Sequence, residues 1–589
     1  MGFFKTFFAA LFASITGFFI IVLLSFLIIA GIVASASKED ETKLEANSIL
    51  HINLDYSISE KTSNNPFENF NFSTFESSNN LGLNDILKNI KKAKEDDNIK
   101  GIYLDVSIMP NGVATTEAIR NQLIDFKTSG KFVIAYAEVM TQKAFYLVSI
   151  ADKVYLNPFG VLEFSGLNTE LAFFKNMLDR LGIEVQIFYA GKFKSATEPF
   201  RLEKMSDPNR EQITSYMNSI YNHYIKNISD ARNINENLLD SISDNLLVRR
   251  AEDAKAFGLV DELAYYDVVL DDLKKRTGKK EADKLVSVTL SNYDKAPSKT
   301  KVDLKADKIA VLYAEGDIVD GKGDDNNIGS ERIAKIIRKI RQDKDIKALV
   351  LRVNSPGGSA LASEIMLREI ELTKKKMPVI VSMGNVAASG GYYIACYADT
   401  IIAEPNTITG SIGVFGIIPN MQDFLNKHVG ITFDNVKTGK FSDLGSLVKP
   451  IDAEGRSIIQ HGVDTIYYKF KKRVAEGRNM TMEAVDEVAQ GRVWTGVQAK
   501  EIGLVDVIGG MNEAINIAAY KAGLKNYRTK EYPEKEEPFE KFFKSLKNDT
   551  ETYFIKSRLG EFYPVWEKMQ SIKEMNGIQA RLPFEIVIH

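Results

Sequence analysis

Ser389 stands in NVAASGGYYIA (385–395), between two alanines and two glycines. Small neighbours let a substrate backbone come close, as a nucleophile requires, but a serine hydroxyl is inert at neutral pH unless a base takes its proton. No histidine lies in this stretch. The five in the chain (His51, His223, His428, His461, His589) are scattered and form no HExxH-type pair, so no metal site is expected. A second stretch, NSPGG (354–358), puts Gly357 and Gly358 behind an apolar strand-like run. Backbone N–H groups of paired glycines can face a ligand and form an oxyanion hole, although a lone PGG is also a plain tight turn. The N–H of Gly390, opening a predicted helix GGYYIACYAD, would lie near any oxyanion that develops at Ser389.

The missing base emerges when the chain is compared with itself. KEDDNIKGIYLDV (94–106) aligns with RQDKDIKALVLRV (341–353), and YLVSIADKVYLNPFG (146–160) with YIACYADTIIAEPNT (393–407), both at an offset of 247. AGKF (190–193) and TGKF (438–441) follow at 248, and DAKAFGLVDEL (253–263) and QAKEIGLVDVI (498–508) at 245. So steady an offset marks a tandem duplication. Ser389 falls opposite Gln142, which cannot act as a nucleophile, and Lys194 of GKFKSATEPF (191–200) falls opposite Ser442. One copy keeps the serine and the other the lysine. An isolated loop lysine is usually a solvated charge, but these complementary losses point to one Ser–Lys pair built across the interface between copies, a known nucleophile–base variant. To serve as base Lys194 must be neutral, which burial away from other cations can achieve.

Positioning these groups requires α/β architecture. SILHINL and KIAVLYAEG open the copies as strands, and the amphipathic helices LNDILKNIKKAKED and SERIAKIIRKIRQD follow. The apolar strands GIYLDV and ALVLRV come next, then a helix, then FVIAYA and VIVSMG. Such alternation predicts parallel sheet joined by right-handed crossovers. The expected units are residues 1–37, a cytoplasmic tip and anchor; 47–290, the lysine-bearing repeat; 305–528, the serine-bearing repeat; and 529–589, a charged tail packed on the surface or on a neighbouring subunit. The polar stretch 282–306 reads as the join.

The composition is that of a globular protein, 44% hydrophobic and 26% charged, and the net charge of −3 gives no basic excess for nucleic acid. A single cysteine, Cys396, excludes an internal disulfide. Between Lys5 and Lys38 no residue is charged. About 20 apolar residues cross a bilayer core. A cleavable signal peptide ending near ASA is the competing reading, but its apolar region would span only about 7–15 residues, so residues 6–37 are read as a retained transmembrane anchor. Lys5 precedes the span and the net acidic KEDETKLE follows it, which places the amino terminus in the cytoplasm and the bulk of the chain outside.

Together RVNSPGG, AASGGYYIA, TGSIGVFG (409–416) and GKFKSATEPF resemble the long, duplicated form of the signal peptide peptidase A family, membrane-anchored bacterial serine proteases. The resemblance runs from the anchor to about residue 525. It implies a Clp protease/crotonase-like fold in each half, Ser389 as nucleophile, Lys194 as general base, and Gly357, Gly358 and Gly390 in the oxyanion region. It further implies that Ser411 of TGSIG orients the lysine. It also implies a homotetramer at the periplasmic face of the inner membrane, degrading apolar signal-peptide remnants without cofactor or metal. Two alternatives stay open on the residues alone: a crotonase-type enzyme acting on acyl thioesters, and a non-catalytic membrane scaffold.

Overall fold

The computed structural model describes residues 2–36, 44–63, 70–71, 76–77, 80–298, 303–534 and 578–582. Met1 and Ser37 of the expected anchor and residues 535–577 and 583–589 of the expected tail lie outside the described residues. The N-terminal run forms one helix, α1 (Gly2–Ala36). Its Gly2–Leu24 portion has a mean hydropathy of 2.6 and is not buried among the described residues. By length and composition it can cross a membrane.

The first copy alternates strand and helix in the order β1 (Ser48–Asn53), α2 (Leu83–Glu95), β2 (Ile99–Asp105), α3 (Val113–Lys127), β3 (Phe132–Met140), α4 (Gln142–Val148) and β4 (Lys153–Leu162). There follow β5 (Glu184–Ala190), α5 (Asp207–Arg232), β6 (Glu262–Leu263) and β7 (Ser287–Thr289). Its sheet runs β6-β4-β3-β2-β1-β7 with every neighbouring pair parallel. The second copy repeats the plan: β8 (Asp307–Glu315), β9 (Asp317–Val319), β10 (Asn327–Gly329), α6 (Ser330–Gln342), β11 (Ile346–Ser355), β12 (Gly357–Ser359) and α7 (Ala360–Lys374). It continues through β13 (Val379–Ala388), α8 (Gly390–Ala395), β14 (Ile408–Gly410), β15 (Val414–Asn420), α9 (Ala453–Arg478), β16 (Val493–Thr495) and β17 (Tyr527–Tyr532). The path β16-β14-β13-β11-β8-β17 is parallel except for the β14–β16 pair.

The local causes are those the sequence carries. In α6, Ile333, Ala334, Ile337 and Ile340 recur at helical spacing and are buried, while the apolar run of β11 is buried on both faces, as a parallel strand covered by helices must be. Duplication reaches the helix ends. The 26-residue helices α5 and α9 each stop at an asparagine in the left-handed region, Asn233 (φ 54°) and Asn479 (φ 53°). The stretch read as a join contains β7, the edge strand of the first sheet, and β17 carries the second sheet to Tyr532.

A third sheet stitches the copies together. It runs β10-β9-β12-β18-β15-β5, where β18 is Ile578–Arg581 of the tail. β5 of the first copy pairs antiparallel with β15 of the second along seven residues, from Ala190 opposite Val414 to Glu184 opposite Asn420. The core of the first copy also takes in Ala388, Ile408 and Val493 of the second. Because β5 leads into the Lys194 loop and β15 begins just past Ser411, this pairing carries the lysine to the serines.

Candidate active site

Ser389 follows β13 directly and opens α8 from a backbone of φ 55°, ψ −114°. A non-glycine residue rarely occupies such a conformation, and it persists only where the surroundings enforce it. Here the Ser389 N–H donates to the Gly410 carbonyl at 2.8 Å, tying the turn to the next strand. The side chain is buried.

Lys194 is held from both copies. The Phe193 N–H donates to the Gln490 carbonyl (2.7 Å). The Gln212 amide, on α5, donates to the Phe193 carbonyl and to Ser195 Oγ (3.0 Å each), and its Oε1 accepts from the Val493 N–H (3.3 Å). Gly491, at φ +76°, lies so close that a Cβ there would stand 2.7–2.8 Å from the Lys194 N, Cα and Cβ. Gly491→Ala is therefore expected to push the lysine off its position. A displacement of about 1 Å can cost on the order of 100-fold in rate, so kcat should fall by about that factor while circular dichroism stays unchanged.

The Lys194 Nζ lies 2.9 Å from Ser389 Oγ, 3.0 Å from Ser411 Oγ and 3.3 Å from the Ser411 carbonyl. Lys194 is 1% exposed, and Phe415 packs over its amine. Burial alone pushes its pKa well below the usual lysine range, since an ammonium withdrawn from water without a counter-ion is strongly disfavoured. The amine thus lies within hydrogen-bond reach of the Ser389 hydroxyl with its charged form disfavoured by burial. Ser411 also has positive φ (51°), and its N–H donates to the Arg492 carbonyl at 2.7 Å, fixing its hydroxyl beside the lysine.

The glycines meet at the same point. A Cβ on Gly357 would stand 2.7 Å from the Gly390 nitrogen, so these two backbones touch only because both residues lack side chains. The Gly357 N–H already donates to Ser355 Oγ (3.2 Å), which itself donates to the Gly316 carbonyl (2.6 Å).

The counterpart positions in the first copy are filled by internal bonds. Gln142 Oε1 accepts from the N–H groups of Ser165 and Gly166 (3.0 Å each), and Lys143 Nζ donates to the Asn111 carbonyl (2.9 Å). Ser442, opposite Lys194 in the alignment, is exposed and donates to the Gly439 carbonyl. Of the candidates, the structure brings Ser389, Lys194 and Ser411 (the last named through the resemblance alone) into contact and sets Gly357 against Gly390, while the Cβ direction of Gly358 faces Ile318; Gln212, Gly491 and β18 were not among the candidates. For β18 a signal existed: Ile578, Ala580 and Leu582 alternate with polar residues as a strand's would.

A duplicated α/β chain with a buried serine–amine contact between its halves has the makings of a serine hydrolase. The sequence profile of Peptidase family S49 matches residues 125–280 and 371–525, one segment in each copy. Protease 4 of Haemophilus influenzae is 38% identical over 74% of this chain and 72% of that protein. Serine protease SPPA, chloroplastic, of Arabidopsis thaliana is 34% identical over 75% and 66%, and a putative signal peptide peptidase SppA of Enterococcus faecium is 36% identical over 45% and 74%. Among solved structures a ClpP1 mutant from Listeria monocytogenes aligns with 35% of this chain and 94% of that one, at 15% identity and a TM-score of 0.24, too distant a likeness to bear on the argument. The chain belongs to peptidase family S49. It is a serine-type peptidase built as a tandem duplication of an α/β domain, and neither the acyl-thioester nor the scaffold reading is favoured.

Proposed function

We propose that the chain is a membrane-anchored endopeptidase in which Ser389 is the nucleophile and Lys194 the general base, acting on apolar peptides such as signal-peptide remnants. The observation that carries this reading is the 2.9 Å contact between a hydroxyl and a buried amine whose pKa burial lowers. Lys194 takes the Ser389 proton as the hydroxyl attacks a peptide carbonyl, then returns it to the leaving amine. A water deprotonated by the same lysine hydrolyses the acyl-enzyme. Ser411 orients the amine. The oxyanion is held by the N–H groups of Gly358 and Gly390, since that of Gly357 is engaged by Ser355. α1 anchors the chain, and Lys5 ahead of the span puts the two copies on the periplasmic side of the inner membrane. Assembly as a homotetramer is part of this reading and follows from the family resemblance.

The test is cleavage of a peptide carrying an apolar signal-sequence core by the purified enzyme in detergent. Activity should appear in the native protein, be blocked by a fluorophosphonate that labels Ser389, and vanish in Ser389→Ala. Near-native turnover by that variant would refute the assignment. Because only unprotonated Lys194 is competent, kcat/KM should rise with pH through its lowered pKa and level off well before the ordinary lysine range. A profile that peaks in acid would exclude lysine as the base.

A further inference from the structure

Four residues beyond Lys194 stands a buried carboxylate that the chemistry of the Ser–Lys pair does not use. Glu198 opens the short helix Glu198–Arg201 and is 2% exposed. The lysine amine points elsewhere, to Ser389, Ser411 and the Phe415 ring. A carboxylate withdrawn from water must be met by hydrogen-bond donors, and those of Glu198 lie at the start of α5. Ser206 donates its hydroxyl to Oε1 (2.5 Å) and its N–H to Oε2 (3.2 Å), and Asn209 Nδ2 donates to Oε2 (2.9 Å). Arg201 stands beside the group at 3.8 Å.

From there the bonds continue toward the lysine. Asn209 turns its Oδ1 to the Gln212 amide nitrogen (3.0 Å), and that nitrogen also reaches the Phe193 carbonyl and Ser195 Oγ, on either side of Lys194. Gln212 Oε1 accepts from the Val493 N–H of the second copy. Asn209, Gln212 and Ser195 are all buried. The carboxylate orders this chain, because it can only accept. It fixes Asn209 with Nδ2 toward Glu198 and Oδ1 toward Gln212, which in turn sets the Gln212 NH2 toward Phe193 and its oxygen toward Val493. Arg492 of the second copy stacks on the Phe193 ring and pairs with Glu211 of α5.

We infer that Glu198 is a positioning residue for the peptidase reaction, acting through Asn209 and Gln212 to hold Phe193 and Ser195, and with them the Lys194 side chain, in the closed seat beside Ser389. The inference rests on the Ser389–Lys194 reading. An amide in place of the carboxylate sets donor against donor at Asn209 or Ser206. Relieving that clash turns the Asn209 amide over, which points its Nδ2 at the Gln212 NH2 and breaks the tie to Phe193. The loop then loosens and water reaches the Lys194 amine, whose protonated form gains stability. The resulting loss of rate depends on pH, which a role in folding alone does not produce.

The test is the pH dependence of kcat and KM for Glu198→Gln and Gln212→Ala, measured on the full chain in detergent with an apolar peptide. At neutral pH kcat should fall about 100-fold in each, the scale of a displacement of about 1 Å, with KM unchanged because neither residue touches the peptide. The inflection in kcat/KM should move toward the ordinary lysine range, so that the deficit shrinks by about tenfold or more by pH 10. The double variant should lose no more than the worse single, because both changes break one chain of bonds. A deficit equal at every pH, or losses that multiply in the double variant, overturns the relay. Should Glu198→Gln fail to fold, Gln212→Ala, which leaves the bonds to Glu198 in place, decides by the same pH criterion. Ser389→Ala in the same assay keeps the two claims apart. With that variant inert and the native inflection low, native profiles in Glu198→Gln and Gln212→Ala overturn the relay alone. A native profile that peaks in acid overturns the dyad and the relay with it.

Discussion

Replacing Lys194 with methionine should lower turnover by about 10⁴-fold or more, the scale of loss when a nucleophile's base is removed, and should at the same time make the protein harder to unfold. The second effect follows from the first residue's environment. Lys194 is 1% exposed, and its amine contacts two hydroxyls and a carbonyl, with burial as the sole cause acting on its pKa. In the unfolded chain the same amine is protonated at neutral pH. Folding therefore releases a proton, and stability rises with pH between the lowered folded pKa and the ordinary lysine value. Methionine matches the length of the apolar stem and carries no such cost. Lys194→Met should be more stable than the native chain by about 1 kcal/mol or more at neutral pH, with the advantage shrinking toward pH 10. Thermal melts of both proteins from pH 6 to 10 measure this. Equal stability across that range would mean the amine keeps a water-filled path to solvent.

Much of the site was legible because duplication supplied a comparison within the chain. Gln142 opposite Ser389 and Ser442 opposite Lys194 are informative only as a pair of losses, and the structure gives each a physical reason. The Gln142 amide oxygen binds the Ser165 and Gly166 N–H groups, and Lys143 donates to Asn111 close by. The first copy has closed its own cleft with internal hydrogen bonds. Its lysine instead reaches Ser389 and Ser411 of the other copy.

What stayed hidden depends on long-range pairing. Nothing in EVQIFYA (184–190) or VFGIIPN (414–420) says that these stretches pair with each other, since alternation specifies a face and not a partner. Yet this one pairing brings Lys194 to Ser389. Gly491 was equally silent, because its role is to leave room for the backbone of a residue some three hundred positions away. The tail strand showed its alternation but not its place: IQARL is short and follows a charged stretch, and its pairing with β12 and β15 is not written in those five residues.

Arg352→Met should be the most damaging change outside the catalytic groups, and its effect should grow with pH. Arg352 lies on β11, the strand that ends in NSPGG, and is 2% exposed. Its guanidinium donates to both oxygens of Glu60 from the first copy (2.8 and 3.2 Å), to Ser382 Oγ and to the Met383 carbonyl (2.8 Å each). Two further carboxyls face this cluster. Burial, with Glu60 nearby, pushes Glu315 up to about 7, and burial pushes Glu404 up to about 8. Groups raised in this way stabilise the fold below their ordinary carboxylate range and lose that contribution as pH rises through the folded values, a slope opposite in sign to that of Lys194. Without the guanidinium, three carboxyls share one buried site with no cation among them. They must take up protons or repel, and protons are scarcer at pH 8 than at pH 5. Removing one partner of a buried ion pair costs about 3–5 kcal/mol. That full deficit is expected at pH 8 and a smaller one at pH 5, read from urea midpoints of the variant and the native chain. The seam between the copies is where the loss would act, so peptidase activity should fall along with stability. A deficit independent of pH would show that the carboxyls are solvated and that the guanidinium contributes packing alone.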